Sequence, residues 1–188
     1  AVIQTHPYTF ARQLSTLDHL TGGRVGWNVV TSALENAHRN YGGPGLAQHD
    51  DRYDLAEEYL EVCYKLWEGS WEDDALLADK TRAHDRGVGL HADPAKVAKI
   101  YHRSQNYQVD GPHLSAPSPQ RTPLLFQAGS SPRGRQVAAE HAEATFSMAP
   151  HIEQAKEHAA DVRRRAAEFG RDPHDVKFIQ GLSFVVGS

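Results

Sequence analysis

The sequence predicts an α/β protein whose parallel sheet is part of a (β/α)8 barrel. Three observations lead there. Helical and strand patterns alternate in the order α, β, α, a long irregular stretch, β, α, β, α, β. Such alternation implies parallel strands joined by crossover helices. The last three strand patterns start about 22 and then about 32 residues apart, close to the average of about 31 residues per unit in a barrel of roughly 250 residues. The chain opens in a helix and closes on an apolar strand, which reads as a barrel cut at both ends, because four strands cannot close one. A complete four-stranded α/β domain is the alternative architecture.

Each element has a local reason. Pro7 suits a first helical position, and Phe10, Leu14, Leu17 and Leu20 recur near helical spacing until Gly22 and Gly23 stop them. Residues 24–31, β-branched and aromatic, predict a buried strand. Asp50 and Asp51 are candidate caps for a second helix with the stripe Tyr53, Ala56, Leu60, Cys63 and Trp67, ending at Gly69. Residues 70–120 read as an irregular insertion with a hairpin near Gln105–Val109, within one barrel domain spanning 1–188. Strands follow at 122–128, 144–149 and 176–186. Between them lie a helix opened by Pro132 and a longer helix with Ile152, Ala155, Ala159, Val162, Ala166 and Phe169 on one face.

Composition narrows the function. Of 188 residues, 39% are hydrophobic and 23% charged, which excludes disorder. The single cysteine forms no intramolecular disulfide and suggests a reducing compartment, the cytoplasm. No apolar run reaches the ~18–20 residues that span a bilayer, so no membrane association is expected. The net charge of −4 argues against a nucleic-acid partner. That charge is uneven. Residues 1–94 hold 15 acids and 8 bases, residues 95–188 hold 9 acids and 12 bases. The basic half favours approach of an anion, or simply carries a solvated face.

The chemistry-bearing residues fall in three places. In residues 127–134, a strand runs into Gly129, then Ser130, Ser131 and Pro132 at the start of a helix. Gly129 lets a ligand approach the backbone, Ser131 is a good N-cap, and the first-turn amides with the helix dipole suit a phosphate. Arg133 and Arg135 oppose that dipole, which a bound anion would explain. The plainer reading is a capped turn with surface arginines. Second, Asn28 lies inside the strand at 24–31, where a buried amide needs hydrogen bonds. With Thr31 it either meets a polar ring edge or is satisfied by neighbouring backbone. Third, His49, Arg52 and Tyr53 gather near one helix start. His49 suits acid–base work near neutral pH, Tyr53 can donate to a phosphate, and the adjacent carboxylates read as caps.

Other chemistries lack a pattern. Twelve histidines show no metal-ligand spacing, and His84 and His91 lie in the irregular stretch. The chain has no nucleophile elbow, Walker loop or Rossmann glycine fingerprint. Cys63 sits on an apolar helix stripe and reads as packing.

Taken together, the segments at 6–8, 16–32, 49–53, 64–71, 91–94 and 127–134, in that order, resemble the two-component flavin monooxygenases of the bacterial-luciferase-like superfamily. The nearest branch is that of nitrilotriacetate and dibenzothiophene-sulfone monooxygenases, to which a long-chain alkane monooxygenase is related. The resemblance implies a luciferase-like (β/α)8 barrel, here about strands 4 to 7. It implies reduced FMN from a separate NAD(P)H:FMN reductase, O2, and a small organic substrate bearing nitrogen or sulfur, or a xenobiotic. It places Asn28 and Thr31 near the flavin ring, Tyr53, Gly129, Ser130 and Ser131 at the phosphate, and His49 and Arg52 in the same pocket as catalytic residues. Relatives of this kind are often homo-oligomers. The 188-residue chain by itself is expected to be inactive. Two alternatives stand beside this reading: a deazaflavin-dependent oxidoreductase of the same superfamily, and a non-catalytic flavin-binding module.

Overall fold

The structure is a computed structural model that describes residues 5–43, 45–83, 89–184 and 186–187. His84 therefore lies outside the described residues. Two compact units emerge. One comprises Gly26–Ala56 with Leu124–Ser188, the other Val2–Val25 with Glu57–Pro123.

The first unit carries a parallel sheet. Its strands β1 (Gly26–Asn28), β6 (Leu124–Gln127), β7 (Ala144–Ser147) and β8 (Lys177–Gln180) lie side by side in that order. Asn28 pairs with Phe126, Phe126 with Ala144, and Ala144 with Lys177. Helix α4 (Pro132–His141) connects β6 to β7, and α5 (Ile152–Glu168) connects β7 to β8. The expected βαβαβ order holds. The last strand is shorter than the expected 176–186, because β8 ends at Gln180, where its partner β7 ends at Ser147. The first strand is also shorter than its apolar run. A short helix α2 (Glu35–Asn40), which the sequence pattern does not announce, follows it.

One face of this sheet is covered. Trp27, Leu125, Gln127 and Thr145 are buried. Ala139 of α4 packs with Val162 and Ala166 of α5, Val176 and the half-buried Phe178. The α5 stripe is thus centred on Val162 and Ala166, and its ends, Ile152 and Phe169, are exposed. On the other face Asn28, Leu124, Phe146 and Ile179 are exposed. The Phe126 ring fills the space beside Gly26, coming within 2.7 Å of where a β-carbon would stand.

The second unit holds α1 (Pro7–Thr21) and most of α3 (His49–Gly69). His6 caps α1 through its Nδ1, and Gly22 ends it in the left-handed conformation, φ 63°. Its buried face is Ala11, Leu14, Ser15 and Asp18, while Leu17 and Leu20, expected inside, are exposed. Trp67 of α3 donates its indole N–H to the Ala11 carbonyl, 3.1 Å. The stripe expected on α3 is buried throughout, and burial pushes the Cys63 thiol pKa well up, as befits packing.

The region 70–120 is more regular than its composition suggests. Strands β2 (Leu76–Ala83) and β3 (Gly89–Ala92), the latter containing His91, form one antiparallel hairpin. Strands β4 (His102–Arg103) and β5 (Gln108–Val109) form a second, matching the expected turn. Glu58 anchors this second hairpin, accepting from Ser104, from Asn106 at 2.6 Å and from His102 at 3.1 Å. These bonds hold its carboxyl below the ordinary range, although burial opposes them. Among the described residues no helix is long and apolar enough to cross a membrane.

Candidate functional site

The residues expected at a phosphate meet just beyond the end of β6. The Gln127 side chain turns back on the chain, its Oε1 accepting from the amides of Ala128 and Gly129 at 2.6 and 3.1 Å. Ser131 is the N-cap of α4, accepting from the Gly134 amide at 3.1 Å, with Pro132 next. The cap accounts for one first-turn donor, and Pro132 has none. The helix start carries the positive end of the helix dipole.

Two glycines make the corner tight. A β-carbon on Gly129 would stand 2.5 Å from the Tyr53 hydroxyl and 3.0 Å from the Gly134 Cα. A β-carbon on Gly134 would stand 2.8 Å from the same hydroxyl and 2.9 Å from the Gly129 Cα. The phenol of α3 thus lies against the backbone of a helix start, with Ser130 exposed and Ser131 half-buried beside it. The Tyr53 hydroxyl, the Ser131 hydroxyl and a helix N-terminus meet there. This donor set fits the phosphate end of a flavin mononucleotide.

The arginines have partners of their own, which corrects one expectation. Arg133 pairs with Asp54 at 2.6 Å. Arg135 donates to the Ser130 carbonyl at 3.0 Å and pairs with Asp161 at 3.4 Å. Their placement needs no bound anion. The caps are corrected too. Helix α3 begins at His49, so Asp50 and Asp51 lie in its first turn, and Asp50 holds the His49 ring at 2.6 Å.

His49 and Tyr53 lie together, ring centroids 5.1 Å apart, with the His49 side chain 48% exposed. Arg52 donates to the carbonyl of Ser32, a residue in the left-handed region at φ 65°. Its Nε is buried without a hydrogen-bond partner among the described residues. Asn28 is exposed on the open face of the sheet rather than buried, so the expectation of an enclosed amide is corrected. Thr31 is buried at 8% exposure, in the alternation of Trp27 and Val29, and does not share the face of Asn28.

The sequence signature of the luciferase-like monooxygenases matches residues 1–188. The chain belongs to that family. It is 51% identical over 182 residues to the long-chain alkane monooxygenase of Geobacillus thermodenitrificans, covering 97% of this chain and 40% of that protein. The crystal structure of long-chain alkane monooxygenase superposes with a TM-score of 0.88, covering 94% of this chain and 39% of that one. A riboflavin lyase, crystallised with a modified FMN and riboflavin, superposes at 0.87 with 44% identity, covering 95% of this chain and 38% of its own. Component A of the nitrilotriacetate monooxygenase of Aminobacter aminovorans is 41% identical over 177 residues, covering 94% of this chain and 37% of that protein. The chain spans about two fifths of the length of the curated relatives it matches. Its four parallel strands are accordingly part of a luciferase-like barrel.

Asp54, Gly134 and Gln127 complete the corner, and residue chemistry alone singles out neither Asp54 nor Gln127. Gly134 carried the one available signal, as the second glycine of the 127–134 segment.

Proposed function

We propose that the protein is a flavin-dependent monooxygenase that uses reduced FMN and O2 to oxygenate a small organic substrate. The observation that carries this is the corner where the Tyr53 hydroxyl, the Gly129 and Gly134 backbone and the Ser131-capped helix meet. Family membership supports the reaction class, and the riboflavin lyase structure with its modified FMN supports the cofactor. The name "component A" carried by one relative supports a separate NAD(P)H:FMN reductase. We place the enzyme in the cytoplasm, as a homo-oligomer, within one barrel domain in which 70–120 is an insertion.

When bound, reduced FMN supplies the electrons that activate O2. The residues of this chain bind and orient it. Tyr53, Ser130 and Ser131 donate hydroxyls to the phosphate, and Gly129 admits it to the backbone. Asn28, on the open face of the sheet, borders the flavin ring, and Thr31 follows it in the loop after that strand. Arg52 holds the loop after β1 through the Ser32 carbonyl. His49, half-exposed and oriented by Asp50, holds or passes a proton at its imidazole. Exclusion of water around the ring completes the site.

The test is anaerobic titration of reduced FMN, followed by fluorescence or calorimetry, into this chain and into a chain of the relatives' full length. Binding by the longer chain, with O2 consumption that depends on added reduced FMN, is the expected result. Hydride transfer to a deazaflavin without O2 consumption overturns it.

A further inference from the structure

We propose that Gln127 is a positioning residue for the cofactor's phosphate, a brace that sets the loop after β6 from the covered face of the sheet. The inference rests on the flavin reading above and adds to it a residue that does not touch the ligand.

Gln127 stands where packing calls for an apolar side chain. It is the last residue of β6, buried at 5% exposure on the face it shares with Leu125. Its partner in register on β7 is Thr145, also buried. Thr145 pairs in turn with Phe178, which packs against Ala139 of α4 and Val162 and Ala166 of α5. Side chains alternate between the two faces of a sheet. Gln127 therefore belongs to the helix-covered layer, and Asn28 to the open face opposite.

The carboxamide is satisfied at one end only. Its Oε1 accepts from the Ala128 amide at 2.6 Å and from the Gly129 amide at 3.1 Å. Two backbone donors at one end identify that end as the oxygen. Its Nε2 is buried with no hydrogen-bond partner among the described residues, and so is the Oγ1 of Thr145. A buried polar atom left unpaired costs about 1–3 kcal/mol. A leucine would fill the same layer without that cost, so packing does not account for the amide. The two bonds to the loop do.

Those bonds act on the corner from behind. Ala128 and Gly129 lie between the end of β6 and the Ser131 cap of α4. With both amides directed at Gln127, the backbone is held to one path across that gap. The point that a β-carbon on Gly129 would occupy lies 3.6 Å from the Gln127 Cδ and 2.5 Å from the Tyr53 hydroxyl. Gly129 is thus held between a carboxamide and a phenol. Without the acceptor, the two amides turn to other partners and Ser130 moves relative to Tyr53. A phosphate registers that movement, because hydrogen bonds weaken steeply away from their preferred distance and angle.

The experiment uses a chain of the relatives' full length. Reduced FMN and reduced riboflavin are titrated anaerobically by calorimetry, and amide hydrogen exchange is followed at residues 128 and 129. Gln127→Met keeps the length of the side chain and removes the acceptor. FMN binding is expected to weaken about tenfold, the size of one lost hydrogen bond, with riboflavin affinity unchanged. Exchange at the two amides speeds up by about tenfold or more. Thr145→Val removes the neighbouring buried oxygen without touching the loop, and leaves both affinities unchanged. Equal weakening of FMN and riboflavin in Gln127→Met, or the same selective loss in Thr145→Val, overturns the proposal. So does fast exchange of the two amides in the unsubstituted chain, a result that needs no variant. An unsubstituted chain that binds neither flavin, or binds both equally, overturns the phosphate reading and this inference with it. FMN binding that Gln127→Met leaves intact overturns this inference alone.

Discussion

The hydroxyl oxygen of Tyr53 stands 2.5 Å from the point that a β-carbon on Gly129 would occupy. A helix that starts at His49, some eighty residues earlier in the sequence, therefore reserves the space beside the loop after β6. Each partner constrains the other, and together they bring a phenol to a helix N-terminus.

Gly129→Ala forces that contact. The added methyl also meets the Gly134 Cα at 3.0 Å, which is backbone and cannot swing aside. We expect a loss of about 1–3 kcal/mol in stability, the usual cost of overpacking, with weaker FMN binding. Adding Tyr53→Phe removes the oxygen and recovers part of the stability. Thermal unfolding of the two single variants and the double variant checks the coupling. Strict additivity would disprove the contact.

Ser131→Ala removes the cap of α4. The expected cost is about 1 kcal/mol of stability. Combined with Tyr53→Phe it also weakens FMN binding, because two hydroxyls leave the phosphate. Calorimetric titration of FMN measures this, and an unchanged Kd would remove these residues from the phosphate site.

His49→Ala separates chemistry from binding. The imidazole is half-exposed and touches Tyr53 only ring to ring. Turnover should fall by about 10²-fold or more, in the range of lost acid–base catalysis, while FMN affinity stays nearly constant. The reverse pattern would make His49 a binding residue.

His113 gives the fold an acid sensitivity. It is buried, bonded through Nε2 to Ser15 at 2.9 Å, and its pKa is pushed down to about 4 by burial, with Arg12 nearby adding to the effect. Unfolded, it binds a proton near pH 6.5. Between those values the unfolded chain holds the extra proton, so stability is full above about pH 6.5 and falls as pH drops toward 4. The slope is at most about 1.4 kcal/mol per pH unit. Urea unfolding across pH 4–7 should show this slope, and His113→Gln should flatten it.

Much of this was legible because local chemistry fixed it. Ser131 followed by Pro132 specifies a helix start anywhere, and Gly22 a helix end. The alternation of strands and helices needs only composition at each segment. The misreadings have a common cause in pairing. The apolar run at 176–186 has strand composition throughout, yet a strand lasts only as long as its neighbour, and β7 ends at Ser147. Asn28 reads as buried because its neighbours are apolar, whereas the side it faces depends on which residues alternate inward, and those are Trp27 and Val29. Leu17 and Leu20 fit a helical stripe, but the packed face turned to Ala11 and Asp18. The partners of Arg133 and Arg135 lie distant in sequence, at Asp54 and Asp161, so their charges look unexplained until the chain is folded.

Arg52 grips the carbonyl of Ser32, a residue already committed to the left-handed backbone. A loop fixed in that way has lost its freedom before any ligand arrives. A ligand that binds beside it meets a mould rather than a coil. The cost of ordering is met once, when the chain folds, and not again at every encounter. Association of a ligand then becomes a matter of collision and orientation.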